Sequence, residues 1–386
     1  MDLATLSNWS GSKEELFDRL THELAQAGRW HELFEARLIE ARSRLGLSLT
    51  DSPPLDELPE PARSTLENDY TAACREVGGL MLDAGQLREA WRYLRPAGEK
   101  RMMHAALGQM VPNDENIEQL IELALYEGID IERGYGWMLG HLGTCNAITT
   151  LEGMAPQLPP DSLEACAAVL VRQLDRELRE NLRSHIAQQE SSAPDANASV
   201  AELITDRQWL FDSQASHVDA SHLAAAVRFA RVLTHPAVVE VALGLAEYGR
   251  RLNPDLQYAG DPPFEELYPA HRLFFLATLR REVPEAIEYF RNQLDACDTH
   301  MAGTAPLETL MVVLDRTGHA AEAMELYEQS APAGVQLSPF APRLVDLAAK
   351  CDGWEHYEAI LRDRDDPVGI AIGLLERNKS AKGQNT

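Results

Sequence analysis

Side chains able to do chemistry are concentrated in one stretch of the sequence, residues 128–150, which reads GIDIERGYGWMLGHLGTCNAITT. It brings histidine, cysteine, asparagine and threonine close to two aromatic residues, whereas such groups are spread thinly elsewhere. If they converge on a cavity, they could bind a small molecule, because ligand pockets combine apolar walls with a few polar groups. The candidate pocket residues are Tyr135, Trp137, His141, Cys145, Asn146 and Thr149.

Two of these residues also suit a metal ion. His141 and Cys145 are four residues apart, so on a helix a nitrogen and a sulfur ligand would lie one turn from each other. A zinc site needs three or four ligands, and the sequence shows no further ligand nearby. We therefore predict no metal and no cofactor, and we expect His141 to be a buried histidine beside Trp137 that hydrogen-bonds to a carbonyl or to Thr144.

The glycines of this stretch support a packing interpretation. On a helix, Gly136, Gly140 and Gly143 lie within about 60° of one another, which would let a neighbouring helix approach closely. Glycine inside a helix costs about 0.5–1 kcal/mol relative to alanine, so three of them need such a reason. The spacing of Gly134, Gly136 and Gly140 is similar to the glycine pattern of a dinucleotide-binding turn. That turn follows a strand, however, and residues 115–126 have helical spacing. We expect a helix at 130–152 that is buried on most sides.

Motifs of the common enzyme classes are absent from the sequence. It contains no nucleophile elbow, zinc-protease motif, phosphate loop or paired C-x-x-C. Cys297 and His300 have a spacing compatible with metal binding in a loop, but a solvated helix end is the simpler interpretation. The segment His217–His222 gathers two histidines around Asp219, but Asp219 or Ser221 is better placed to cap the following helix. The sequence favours a protein that is not an enzyme.

The elements that would position these residues are predicted to be helices. Apolar residues recur at helical spacing in consecutive segments joined by short turns, and no strand-like alternation persists, so the predicted fold class is all-α. Helix pairs are expected at about 13–26 with 30–45, 64–82 with 86–107, and 307–316 with 320–329. Gly28, Gly85 and Gly318 lie at the turns, where glycine accommodates the chain reversal.

The turns share a further pattern. Glutamate is the fourth residue after Gly28, Gly85, Gly128 and Gly318, and an alanine follows it at Ala90 and Ala323. Glu285 and Ala286 in RREVPEAIEYF form another copy, with Arg281 in the place of the glycine. A small alanine near the start of the second helix lets the first helix pack against it.

This G-x-x-x-E-A turn, with a following aromatic residue in GHAAEAMELYEQ and VPEAIEYF, resembles the tetratricopeptide repeat family. The resemblance implies antiparallel helix pairs stacked into an α-solenoid whose concave face binds peptides or protein surfaces. Successive glycines are 57 residues apart from Gly28 to Gly85 and 43 apart from Gly85 to Gly128, so the expected array is irregular.

The domain organisation is predicted from composition. Residues 188–199, QQESSAPDANAS, have the content of a solvated linker. We expect them to separate an N-terminal helical half, residues 1–187, from a C-terminal helical half, residues 200–377. Residues 378–386, NKSAKGQNT, have nothing to bury and are predicted to form a disordered tail.

Charge and termini bound the partners and the compartment. The 386 residues carry a net charge of −26, which opposes binding to nucleic acid or to an anionic membrane and favours a basic partner. The N-terminus has neither a basic leader nor an apolar run of signal-peptide length, so a cytoplasmic protein is expected. The five cysteines have no close pairs, which predicts free thiols.

Two functional hypotheses follow. The first is a non-enzymatic helical-repeat scaffold or adaptor that binds a protein or peptide. The alternative is an enzyme, or a protein that binds a small molecule or metal in a pocket around Trp137, His141, Cys145 and Asn146. Solvent access separates them, because a ligand pocket requires these side chains to meet at an open cavity.

Overall fold

A computed structural model describes residues 9–50, 54–212, 216–297, 303–332 and 334–383, and within them every regular element is a helix. The predicted all-α fold class is therefore confirmed. In the first part of the chain the helices are α1 (Lys13–Gln26), α2 (Trp30–Arg44), α3 (Ala62–Asp83), α4 (Leu87–Leu94), α5 (Lys100–Gly108), α6 (Ile117–Ile121), α7 (Ile131–Met154) and α8 (Pro160–Glu190). The remaining helices are α9 (Val200–Ile204), α10 (Ala220–Phe229), α11 (Pro236–Gly249), α12 (Leu267–Thr278), α13 (Val283–Ala296), α14 (Ala305–Thr317), α15 (Ala320–Ser330), α16 (Leu344–Cys351), α17 (Trp354–Asp363) and α18 (Pro367–Gly383).

Local sequence explains where several helices begin and end. α1 begins with a capping box in which Ser12 and Glu15 each bond the other's backbone nitrogen, so two orphan donors of the first turn are satisfied. Gly28 (φ +67°), Gly85 (φ +74°) and Gly318 (φ +89°) follow α1, α3 and α14 in a left-handed conformation that disfavours any residue with a side chain.

The chain forms two compact units, Met1–Trp137 and Met138–Thr386. In unit 1, α1 packs on α2, α2 on α3 and α3 on α4. A Cβ on Gly78 of α3 would lie 2.6 Å from the Leu94 side chain and 3.3 Å from the Ala90 carbonyl, so glycine is what permits the close contact with α4. The core that results includes fully buried Leu33, Val77 and Leu94.

Unit 2 is built around α8. This helix of 31 residues contacts α9, α10 and α11 along a stripe of apolar residues, including Leu174, Leu178 and Leu182, that are completely buried. From α11 to α15 each helix then contacts the next one in the chain, and α15 to α18 continue this order.

Three predicted boundaries differ from the structure. The single helix expected at about 86–107 is two helices, α4 and α5, with Gly98 (φ +71°) between them. The compact units divide after Trp137, inside α7, rather than at residues 188–199. Those residues stay close to α8, because the Arg179 guanidinium donates to the carbonyls of Ala198 (2.8 Å) and Ala196 (3.0 Å). The predicted disordered tail is helical through Gly383 as the end of α18, and residues 384–386 lie outside the described part.

Candidate functional site

The predicted pocket residues are divided between the two units, and four of the six are exposed. Tyr135 is 1% exposed in unit 1, and Trp137 packs partly buried against the core of the same unit. His141, Cys145, Asn146 and Thr149 belong to unit 2 and are exposed. The polar groups of two of them are occupied within their own helix, since the Asn146 amide donates to the Leu142 carbonyl at 2.8 Å and the Thr149 hydroxyl donates to the Cys145 carbonyl at 3.1 Å. The expectation that His141 is buried is therefore wrong.

His141 and Cys145, the two candidate metal ligands, are separated by a break in the helix. Gly143 has φ 80° and ψ 165°, so His141 and Cys145 lie on opposite sides of a non-helical residue and lose the one-turn spacing that motivated the pair. In the described part of the chain, histidine, cysteine, aspartate and glutamate form no group of three or more that could hold a metal ion.

The predicted line of close-packed glycines is also wrong. A Cβ added to Gly140 or Gly143 would have no heavy atom within 4 Å, and Gly136 is only partly buried. The close approach in this stretch occurs at Gly134, where a Cβ would lie 2.6 Å from the Leu125 nitrogen. Among the glycines of this stretch, the close backbone approach is therefore at Gly134 in the first turn of α7, against the segment that precedes it.

Of the two candidate caps, Asp219 and Ser221, Asp219 is the residue that caps the following helix. Its carboxylate accepts hydrogen bonds from the Ser221 backbone nitrogen at 2.8 Å and from the Ser221 hydroxyl, so it caps α10. His217, in the same segment, is hydrogen-bonded to a ring nitrogen of His185 and to the Tyr248 hydroxyl, each at 2.9 Å. Burial, and then the charge of His185, lowers the pKa of His217 to about 4.

The other predicted pair, Cys297 and His300, is only partly visible. Cys297 follows α13 and is half-buried, and burial raises the pKa of its thiol. His300 lies outside the described residues.

The structure places a different candidate site in unit 1. A groove of about 380 Å³ runs between α2, α3 and the segment that joins them, and we call it the unit 1 groove. It is lined by Glu35, Leu38, Ile39, Arg42, Leu49, Leu55, Leu66 and Tyr70. Four large apolar side chains on it are unusually exposed, namely Ile39 (43%), Leu49 (51%), Leu55 (45%) and Tyr70 (40%).

Helical spacing explains why these side chains share one surface. Glu35, Leu38, Ile39 and Arg42 follow the i, i+3, i+4, i+7 pattern of one face of α2. Leu66 and Tyr70 are four residues apart on α3, which contacts α2.

The segment between α2 and α3 is held by its own small core. Ala41, Leu58 and Leu66 are buried together there, with Leu45 and Leu47 packed against them. Arg42 donates from Nε to the Ser48 carbonyl at 3.1 Å, which ties the start of the segment to α2.

The arginines near the groove have hydrogen-bond or ion-pair partners, whereas several carboxylates near it form no ion pair in the part of the chain that the structure describes. Arg42 donates to the Ser48 carbonyl. Arg44, two residues further on and outside the lining, forms an ion pair with Asp69 at 3.0 Å. The exposed carboxylates of Glu35, Asp56 and Glu57 form no ion pair within the described chain. Burial raises the pKa of the Tyr70 phenol, so this residue is neutral. The lining therefore carries one positive charge, on Arg42, and one negative charge, on Glu35.

Comparison with known proteins adds no family to this description. No protein-family model, curated protein or solved structure matches the chain. No helix in the described residues is both long enough and apolar enough to cross a membrane.

Proposed function

We propose that this protein is a non-enzymatic helical-repeat scaffold that binds a peptide or a short protein segment in the unit 1 groove. One observation carries the proposal: four large apolar side chains, each 40–51% exposed, surround a single groove. Contiguous exposed apolar surface of this kind marks interaction sites, whereas single exposed apolar residues need no explanation.

The helix order supports the repeat part of the proposal. Many consecutive helices contact their neighbours in the chain, as in helical-repeat proteins. Ala90, Ala286 and Ala323, the alanines of the E-A turns, are all completely buried, which fits the tight helix pairs of tetratricopeptide-like repeats.

The chemistry of the groove specifies the kind of partner. Leucine, isoleucine and tyrosine favour apolar anchor residues, and the free carboxylate of Glu35 favours a lysine or arginine beside them. Fully burying such a side chain contributes about 1.5–3 kcal/mol, so covering four half-exposed ones yields on the order of 3–5 kcal/mol before the costs of association. We therefore expect binding that is micromolar or weaker.

The proposal can be tested with a library of random dodecamer peptides displayed on phage and selected on the full chain. Enriched peptides should combine apolar residues at helical or alternate spacing with at least one basic residue. A synthetic copy of an enriched peptide is then titrated against variants by calorimetry. We expect Ile39→Asp and Leu55→Asp to weaken binding at least tenfold, because each places a carboxylate in an apolar contact.

Val111→Asp is the matched control, since Val111 is 78% exposed in unit 1 and does not line the groove. It should bind the peptide as the wild type does. Glu35→Lys should reduce the preference for basic peptides. Selection of peptides without apolar residues, or equal binding by Ile39→Asp and Val111→Asp, would refute the groove as the binding site.

A further inference from the structure

Unit 2 contains a second pocket, of about 820 Å³, beside the turn that joins α14 to α15. We call it the unit 2 pocket. Its charged lining residues are Arg280, Asp315, Arg316, Glu322 and Lys350. Val312, Ala320, Phe340 and Pro342 supply an apolar wall. The size and the mixture of surfaces are those of a small-molecule site.

The two carboxylates of the pocket are already occupied. Both Asp315 oxygens accept hydrogen bonds from the Lys350 ammonium, at 2.6 and 2.7 Å. Glu322 pairs with Arg291. The charges left over are the guanidinium groups of Arg280 and Arg316, and neither has a carboxylate within ion-pair distance in the described chain.

Arg316 is held rigidly by neutral acceptors. Its Nη1 donates to the Leu233 carbonyl at 3.0 Å and to the Thr278 hydroxyl at 3.2 Å, and its Nη2 donates to the Arg231 carbonyl at 3.1 Å. The guanidinium also lies 5.2 Å from the centre of the Phe274 ring. Burial lowers the pKa of Arg316 to about 10, so the group is still charged at neutral pH. A fixed cation that has no anion in contact attracts a bound anion more strongly in a partly desolvated site than in water, because the effective dielectric constant is lower there.

Arg280 supplies a second, exposed cation on the same pocket. It follows α12 in a left-handed conformation, with φ 59°. Its Nη1 lies 3.8 Å from the position that a Cβ on Gly318 would take, which brings the guanidinium over the turn between α14 and α15. In a chain with a net charge of −26, two neighbouring cations without a carboxylate in contact form a local exception.

We propose that the unit 2 pocket binds a small organic anion, a carboxylate or a phosphate carried on an apolar body, through Arg280 and Arg316. Guanidinium groups suit both anions, because their planar donors can form paired hydrogen bonds with two oxygens. The apolar wall with Phe340 would contact the body of the ligand. This site is independent of the unit 1 groove, so either proposal can fail without the other.

Three small probes test the proposal on the full chain: benzoate, phenyl phosphate and the uncharged benzamide. Binding is measured by ligand-observed NMR and calorimetry at low ionic strength. We expect at least one of the anions to bind at least tenfold more tightly than benzamide. The tighter of benzoate and phenyl phosphate identifies the anionic group that the site prefers. Raising the salt concentration should weaken anion binding, because part of it is electrostatic.

Variants locate the binding in this pocket. Arg280→Gln removes a side chain that is exposed and makes no described hydrogen bond, so it should leave the melting temperature nearly unchanged and weaken anion binding at least tenfold. Lys350→Met should also weaken it, since Asp315 would then face the ligand unpaired. Arg377→Gln, which removes an exposed arginine of α18 outside the pocket, is the matched control and should bind normally.

Three outcomes would overturn the proposal. They are equal binding of benzamide and the anions, unchanged anion binding in Arg280→Gln, and failure of both anions to bind the folded wild type at millimolar concentration.

Discussion

Acid should destabilise unit 2 in large part through a buried histidine, His271 in α12. The residue is 1% exposed, and its ring stacks on Phe264 at a centroid distance of 4.2 Å. Its Nδ1 is 2.6 Å from the Leu267 carbonyl and must donate a proton to it, whereas the buried Nε2 has no hydrogen-bond partner. Burial, together with the positive charge of Arg231, lowers the pKa of His271 to about 3. The native state therefore holds this ring neutral.

The size of the effect follows from proton linkage. In the unfolded chain the histidine has its ordinary pKa of 6.5, so between pH 6.5 and about 3 the unfolded state binds more protons than the native state. The stability associated with neutral His271 is complete above pH 6.5 and is lost progressively as the pH falls towards 3. Integrated from pH 7 to pH 4.5, the loss from this one residue is on the order of 2–3 kcal/mol.

Urea unfolding at pH 7 and at pH 4.5, followed by circular dichroism and fitted for the two units separately, measures this loss. His271→Leu nearly keeps the volume and removes the titrating group, so its unit 2 transition should lose on the order of 2–3 kcal/mol less than that of the wild type. His235→Gln replaces an exposed histidine of the same unit and should keep the pH dependence of the wild type. Equal losses of stability in His271→Leu and the wild type on acidification would show that His271 is not held neutral in the native state.

Further predictions concern the central stretch, the thiols and the partner. Gly134→Ala should destabilise the protein by about 1–3 kcal/mol through overpacking. Gly140→Ala should stabilise it by up to about 1 kcal/mol, because the added Cβ has no heavy atom within 4 Å and alanine has the higher helix propensity. Thermal melts that show the same sign for both variants would contradict this. In native protein a thiol reagent should modify exposed Cys145 much faster than buried Cys74 and Cys166, and all five thiols should react after unfolding without reductant; a total of three or fewer would reveal a disulfide. Association with a peptide that binds the unit 1 groove should slow as salt rises, and a rate independent of salt would argue against charge complementarity.

The spacing of apolar residues predicts the all-α class, because a helix that buries one face has an apolar residue every three or four positions. The helix pairs expected near residues 13–45 and 307–329 occur as α1 with α2 and α14 with α15. The left-handed glycines at Gly28, Gly85 and Gly318 occupy the expected turns. These features depend on a few neighbouring residues, which a single sequence displays directly.

In the central stretch, helical periodicity does not predict the arrangement of the side chains. A helical projection assumes an unbroken helix, and Gly143 breaks it with a φ of 80° that only glycine adopts readily. Such a projection places Gly136, Gly140 and Gly143 on one packing line, whereas Gly143 breaks the helix and Gly134 makes the tight contact. The groove residues Ile39, Leu49 and Tyr70 are distant in sequence, and only the contact of α2 with α3 brings them together. The sole local signal was the apolar pair Leu38 and Ile39 between Glu35 and Arg42.

The turn before α13 offers a last test, because it separates stability from function at one residue. The repeat pattern places Arg281 where other turns have glycine, but the left-handed residues are its neighbours, Arg280 (φ 59°) and Glu282 (φ 47°). A residue with a Cβ pays about 1–2 kcal/mol in this conformation, so the fold alone would favour glycine at position 280. Arg280→Gly should consequently be about 1 kcal/mol more stable than Arg280→Ala in urea unfolding, although both lack the guanidinium and should bind benzoate or phenyl phosphate equally poorly. If the alanine variant were as stable as the glycine variant, the backbone at this position would not be strained. The presence of arginine would then need no functional explanation.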